Sequence, residues 1–93
     1  MSTASPSVVV TLPASLVKLF PGSARQVDVS AACVGEAMDA LNARWPGMRD
    51  RLCDSTPAIR RHINVYVDGE RARLDTRVAP GAEIIVLTAI SGG

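Results

Sequence analysis

Hydrophobic periodicity changes once along this chain and then changes back, and that reversal restricts the fold more than any other feature. Gln26-Val27-Asp28-Val29-Ser30 alternates polar and apolar side chains with period two, the pattern of a half-buried strand. From Val34 the spacing becomes helical: Val34, Ala37, Met38, Leu41 and Trp45 fall at i, i+3, i+4, i+7 and i+11, one stripe of an α-helix that Pro46-Gly47 ends. Glu36 lies three residues after Cys33, the spacing of a capping box, although a thiol is a poor cap acceptor and forgoes part of the ~1 kcal/mol that Ser or Thr contributes there. One short helical turn over residues 48–53 is expected to carry Met48 and Leu52 inward. His62-Ile63-Asn64-Val65-Tyr66-Val67 then restores strand character, and Asp68-Gly69 after it signals a two-residue type I′ hairpin turn.

The remaining segments are strands. Val8-Val9-Val10-Thr11-Leu12 is rich in β-branched residues and stops at Pro13, and Pro21-Gly22-Ser23 marks a turn, so residues 8–12 and 26–30 are expected to pair as a hairpin. Residues 70–74 return as a fourth strand. Pro80-Gly81 suits the central positions of a type II turn, and Glu83-Ile84-Ile85-Val86-Leu87-Thr88 is a fifth strand, apolar on both faces. Strand, strand, helix, strand, strand, strand is the α+β order of the β-grasp, a mixed sheet with the last strand central and parallel to the first, and one main helix across one face. Residues 7–88 make this domain, residues 1–6 a flexible leader and residues 89–93 a flexible tail.

Size and composition agree. A chain of 93 residues with 47% hydrophobic and 20% charged side chains has the proportions of one globular domain. It can bury about 60 to 68% of the surface exposed when unfolded, enough for one core but not for a deep, enclosed active site. The 10 Lys and Arg against 9 Asp and Glu supply neither the basic field of a nucleic-acid binder nor an acidic tail. No basic start followed by an apolar run marks a signal peptide, and no stretch approaches the ~20 apolar residues of a membrane span, so a cytoplasmic monomer is expected, with no membrane contact. Cys33 and Cys53 show neither Cys-x-x-Cys spacing nor the density of a disulfide scaffold; both read as reduced thiols, with no structural metal.

One helix covers one face of a sheet, so either Ile84 with Val86 or Ile85 with Leu87 faces away from it. Such exposed apolar area is ordinary on a small domain, or it marks a partner patch. The tail Ala89-Ile90-Ser91-Gly92-Gly93 follows the last strand directly, with no charged residue to pin it. Diglycine inside a chain usually makes a turn; at an exposed terminus it leaves no Cβ to obstruct a narrow channel.

These residues together resemble the ubiquitin-like sulfur carriers, the family that includes the molybdopterin synthase small subunit, the thiamine sulfur carrier and the sulfur carrier of cysteine biosynthesis. The matching pieces are Val34-Gly35-Glu36-Ala37, Trp45-Pro46-Gly47, Ile63-Asn64-Val65-Tyr66-Val67-Asp68-Gly69 and the run from Ile85 to Gly93, within a likeness spanning residues 7–93. Thr88 stands where family members commonly carry proline, and Cys33 where threonine is usual. The resemblance implies that a ubiquitin-activating (E1-like) adenylating enzyme uses ATP to activate the Gly93 carboxylate and that a sulfur donor displaces AMP. The Gly93 thiocarboxylate then feeds a sulfur-accepting biosynthetic enzyme. The carrier needs no cofactor and no catalytic side chain of its own. Ala89, Ile90, Ser91 and Gly92 would thread the channel, while Ile85, Leu87, Tyr66 and Arg61 would dock the partner. Length and the segment Ser55-Thr56-Pro57 through Arg61 look most like the cysteine-biosynthesis carrier, which makes a pyridoxal-phosphate-dependent cysteine synthase the leading acceptor, ahead of molybdopterin and other thio-metabolite enzymes; a metalloprotease that processes the C-terminus is a further partner of this type.

The bland roles go to other polar residues. His62, the only histidine, begins a strand and reads as structural or solvent-exposed; Cys33 reads as a passive cap-position residue rather than an activated thiol; Cys53 reads as core filling; Arg60-Arg61 is either a solvated pair or a contact for an acidic partner. Two other functions fit the same sequence. One is a protein modifier joined through Gly93 to lysines, and the other is a non-covalent adaptor that uses the open sheet face.

Overall fold

The computed structural model describes residues 7–53, 59 and 62–88. Among the described residues eight elements follow one another: β1 (Ser7–Thr11), α1 (Ala14–Leu19), β2 (Gln26–Ser30), α2 (Val34–Arg44), α3 (Met48–Leu52), β3 (Ile63–Val67), β4 (Glu70–Arg71) and β5 (Glu83–Thr88). The sheet order is β2-β1-β5-β3-β4. β5 runs parallel to β1 and antiparallel to β3, with Thr11 level with Ile85 and Tyr66 level with that same residue on the other side. This is the β-grasp arrangement expected from the order of elements.

The core lies between the sheet and the helices. Val8, Val10, Val27, Val29, Ile63, Val65, Ile84 and Val86 point from the strands into it, and Val34, Ala37, Met38 and Leu41 meet them from α2. Met48 and Leu52, buried completely on α3, fill the space past the end of α2 as expected. Truncating any of the large ones to alanine would cost about 2 to 5 kcal/mol. Cys53 is buried among them.

Two turns follow the residue chemistry. Asp68 and Gly69 both take positive φ, 49° and 90°, as a type I′ turn demands. Asp68 then bonds reciprocally with the start of β5: its amide donates to the Glu83 carbonyl at 3.0 Å, and its Oδ1 accepts from the Glu83 amide at 3.0 Å. Gly81 has φ 82°, and the Ala82 amide closes the turn onto the Ala79 carbonyl at 3.0 Å, which is type II geometry.

Four details differ from expectation. The first strand occupies Ser7–Thr11, one residue earlier, and its connection to β2 contains the short α1, whose Leu16 is buried. β4 stops at Arg71 instead of reaching Leu74, because after a last bond from the Ala72 amide to Val65 O at 2.8 Å the chain makes a tight turn in which the Thr76 amide donates to the Arg73 carbonyl at 3.1 Å. Trp45 is the C-cap of α2 rather than a residue within it, half-buried against the core with the Arg44 guanidinium 4.9 Å from its ring centroid. Finally, the capping box does not form. Cys33 makes no side-chain cap bond, and Glu36 Oε1 instead accepts from the amide of Ala32 at 2.7 Å. The orphan amides of the first turn of α2 go to another part of the chain: Val34 donates to Thr76 O at 3.0 Å and Gly35 to Leu74 O at 2.8 Å.

Candidate functional site

Alternation along β5 decides which apolar pair is outside. Ile84 and Val86 have 0% exposure beneath the helices, whereas Ile85 is half-buried on the opposite face and Leu87 is 47% exposed. Among the described residues, no helix or other element covers that second face.

The register builds a row around Ile85. Reading across the sheet, Gln26, Thr11, Ile85, Tyr66 and Arg71 are level on five successive strands. Toward the end of β5, Leu87 is level with Asn64, and Val9 is level with Glu83 at its start. The result is an apolar strip of Val9, Ile85 and Leu87, with the aromatic ring of Tyr66 beside it and Gln26, Asp28, Asn64 and Arg71 around it. An apolar centre with an aromatic and an arginine at its side matches the composition of protein-binding surfaces, where tyrosine and arginine are enriched because each joins a large contact area to hydrogen-bonding groups. Thr11 adds a buried hydroxyl, for its Oγ1 is enclosed with no hydrogen-bond partner among the described residues.

Of the residues singled out from sequence, Ile85, Leu87 and Tyr66 are therefore brought onto one face. Arg61 and the tail residues Ala89, Ile90, Ser91, Gly92 and Gly93 lie outside the described residues. Val9, Thr11, Asn64 and Arg71 were missed. The period-two pattern of β1 and β3 already put Val9 with Thr11 and Asn64 with Tyr66 on common faces, and only the register between strands was lacking. His62 is exposed just before β3, and half-buried Cys33 sits at the start of α2 in a bridge with Arg77.

The tail's point of departure follows from the same register. Thr88 ends β5 level with Ile63, the first residue of β3. Because β5 and β1 are parallel, this is the end of the sheet at which β1 gives way to α1. The open apolar face and the start of the tail thus share β5, with one residue between Leu87 and Ala89.

Comparison with known proteins agrees in sequence and in shape. A model of the ThiS family matches residues 10–93. Sulfur carrier protein CysO of Mycobacterium tuberculosis is 31% identical over 94% of this chain and 99% of its own length. Small archaeal modifier protein 1 of Haloferax volcanii is 35% identical over 86% of this chain and 93% of its own. Among solved structures, the Amycolatopsis orientalis BexX/CysO complex contains a chain that superposes with a TM-score of 0.83 at 31% identity, covering 92% of this chain and 99% of that one. With most of its length matched, its apolar sheet face in place and its last strand leading to the diglycine, the chain belongs to the ThiS family of ubiquitin-like sulfur carriers.

Proposed function

We propose that this carrier works through the carboxyl group of Gly93, which an activating enzyme adenylates with ATP and a sulfur donor converts to a thiocarboxylate. The observation that carries the reading is the family match running to residue 93, on a chain whose β5 carries the half-buried Ile85 and the exposed Leu87 just ahead of the tail. A carboxylate is a poor electrophile until one oxygen becomes a good leaving group, and AMP provides one. A thiocarboxylate, by contrast, is ionised and nucleophilic at neutral pH without a neighbouring base. The chemistry therefore asks for a presented terminus and a docking surface, with no cofactor held by the carrier.

Energetics explain why the surface matters. Ordering five tail residues in a partner's channel costs on the order of 5 to 10 kcal/mol of backbone entropy, at about 1 to 2 per residue. Binding through Ile85, Leu87 and Tyr66 offsets that cost, and Arg61 adds a charge contact. The sulfur acceptor we favour is a cysteine-forming enzyme, on the likeness to sulfur carrier protein CysO over 99% of that protein's length. Incubating the protein with its activating partner, ATP and sulfide should replace one oxygen by one sulfur on the last residue, read by mass spectrometry of the terminal peptide. An active partner that leaves the mass unchanged would overturn the reading.

The likeness to an archaeal modifier protein supports a second use of the same terminus, isopeptide attachment to lysines of other proteins. ATP-dependent bands on a denaturing gel that vanish when Gly93 is deleted would establish it.

A further inference from the structure

Antiparallel strands alternate between residues whose backbone groups face the neighbour and residues whose groups face away. The Leu12 amide donates to Arg25 O at 2.7 Å, which makes Leu12 and Arg25 a hydrogen-bonded pair, so in β2 it is Val27 and Val29 that face β1. Gln26, Asp28 and Ser30 turn their amides and carbonyls outward. β1 confirms the phase from its other side, because the Val9 amide donates to Ala82 O at 3.1 Å and Ser7 O accepts from the Gly81 amide at 2.8 Å. With β4 only two residues long, β2 is the longer edge of the described sheet. Such an edge is a template for another strand.

β2 is close to self-complementary. In an antiparallel pair of two copies centred on Asp28, Val27 would stand opposite Val29 on the helix side, and Gln26 opposite Ser30 on the other, both favourable pairs. Two features oppose this. The two Asp28 carboxylates would be adjacent at the symmetry axis, and the central acceptor is already occupied: Arg44 Nη1 donates to Asp28 O at 3.1 Å while its guanidinium rests on the Trp45 ring.

We propose that Asp28 and Arg44 keep the outer edge of β2 from pairing with a second copy of this chain, which the edge would otherwise accept. Asp28 acts through charge and Arg44 by covering the carbonyl. Closing this edge leaves the open sheet face and the tail as the surfaces presented to partners.

The test compares two double variants with the wild type by sedimentation and amide exchange. Asp28→Asn with Arg44→Met keeps the aliphatic cover on Trp45 but removes both obstacles. At about 0.1 mM its mass should double, and exchange at residues 26, 28 and 30 should slow by at least about tenfold. Asp28→Pro with Arg44→Met also removes both, yet deletes the outward amide, so it should remain monomeric. Asp28→Asn alone should dimerise at concentrations about tenfold higher, and it stands in if the double variant does not fold. A wild type that is already dimeric through β2 would overturn the proposal. So would a folded Asp28→Asn, Arg44→Met variant that stays monomeric, or a dimer in which those three amides still exchange freely.

Discussion

The amide of Gly35 donates to the carbonyl of Leu74 at 2.8 Å, and a Cβ placed on Gly35 would come within 3.2 Å of that same oxygen. The contact joins the first turn of α2 to the turn after β4, and it does part of the work that a Ser or Thr cap performs elsewhere. Alanine would gain up to about 1 kcal/mol in helix propensity. The oxygen it crowds, however, belongs to backbone that is held by the neighbouring bond from Val34 to Thr76 O. Gly35→Ala should therefore destabilise the domain by about 1 kcal/mol, and Gly35→Val by about 2 or more. Urea unfolding decides it: an alanine variant more stable than wild type would show that the 74–76 turn yields freely.

Asn42 plays a comparable role at the other end of α2. Its Oδ1 accepts from the amides of Gly47 at 3.0 Å and Arg49 at 3.2 Å, so a residue of one helix caps the next. That fixes the entry of α3, whose Met48 and Leu52 complete the core. Asn42→Ala should cost about 1 to 2 kcal/mol by leaving two part-buried amides unpaired, while Asn42→Asp, which keeps the acceptor, should cost less. Equal losses for the two variants in chemical denaturation would remove the capping explanation.

Much of this architecture was written in local spacing. The stripe from Val34 to Leu41, the alternation of Gln26–Ser30 and the Asp68-Gly69 turn each express one element's own periodicity or turn chemistry, and all three formed as expected. α1 was not legible, because six residues are too few to display a helical period and Pro13 ahead of it reads equally as the end of a strand. The caps at Gly35 and Asn42 join residues brought together only by the fold, so nothing local announces them. For the site, sequence showed that β5 has two apolar faces but not which one is covered; that depends on register, as does the company of Thr11 and Arg71 around Ile85.

Ile84 and Ile85 differ by one position and by a whole environment. A glutamate at Ile84 would bury a charge in the fully enclosed core, a cost comparable with the ~5 to 15 kcal/mol that holds a domain folded, so Ile84→Glu should not fold. Ile85→Glu lies on the open face and should fold, while weakening binding to the activating enzyme by about 2 kcal/mol or more. Tyr66→Ala, level with Ile85, should follow it. Circular dichroism with calorimetric titration separates these outcomes. Normal binding by folded Ile85→Glu would exclude the open face as the docking surface.

Gly92 separates folding from chemistry. β5 ends at Thr88, so the core described above is complete four residues before it. Gly92→Val should therefore shift thermal stability by no more than the ~0.5 kcal/mol of an uneventful surface substitution. The same change puts a branched side chain beside the carboxylate proposed for adenylation and withdraws conformations with positive φ. In a channel narrow enough to exclude side chains, adenylation should collapse while the fold persists. A melting curve run beside ATP-pyrophosphate exchange with the activating enzyme tests both halves at once. If the variant melts like wild type and exchanges at the wild-type rate, the diglycine is incidental, and the non-covalent adaptor that binds through Ile85 and Tyr66 becomes the better account of the chain.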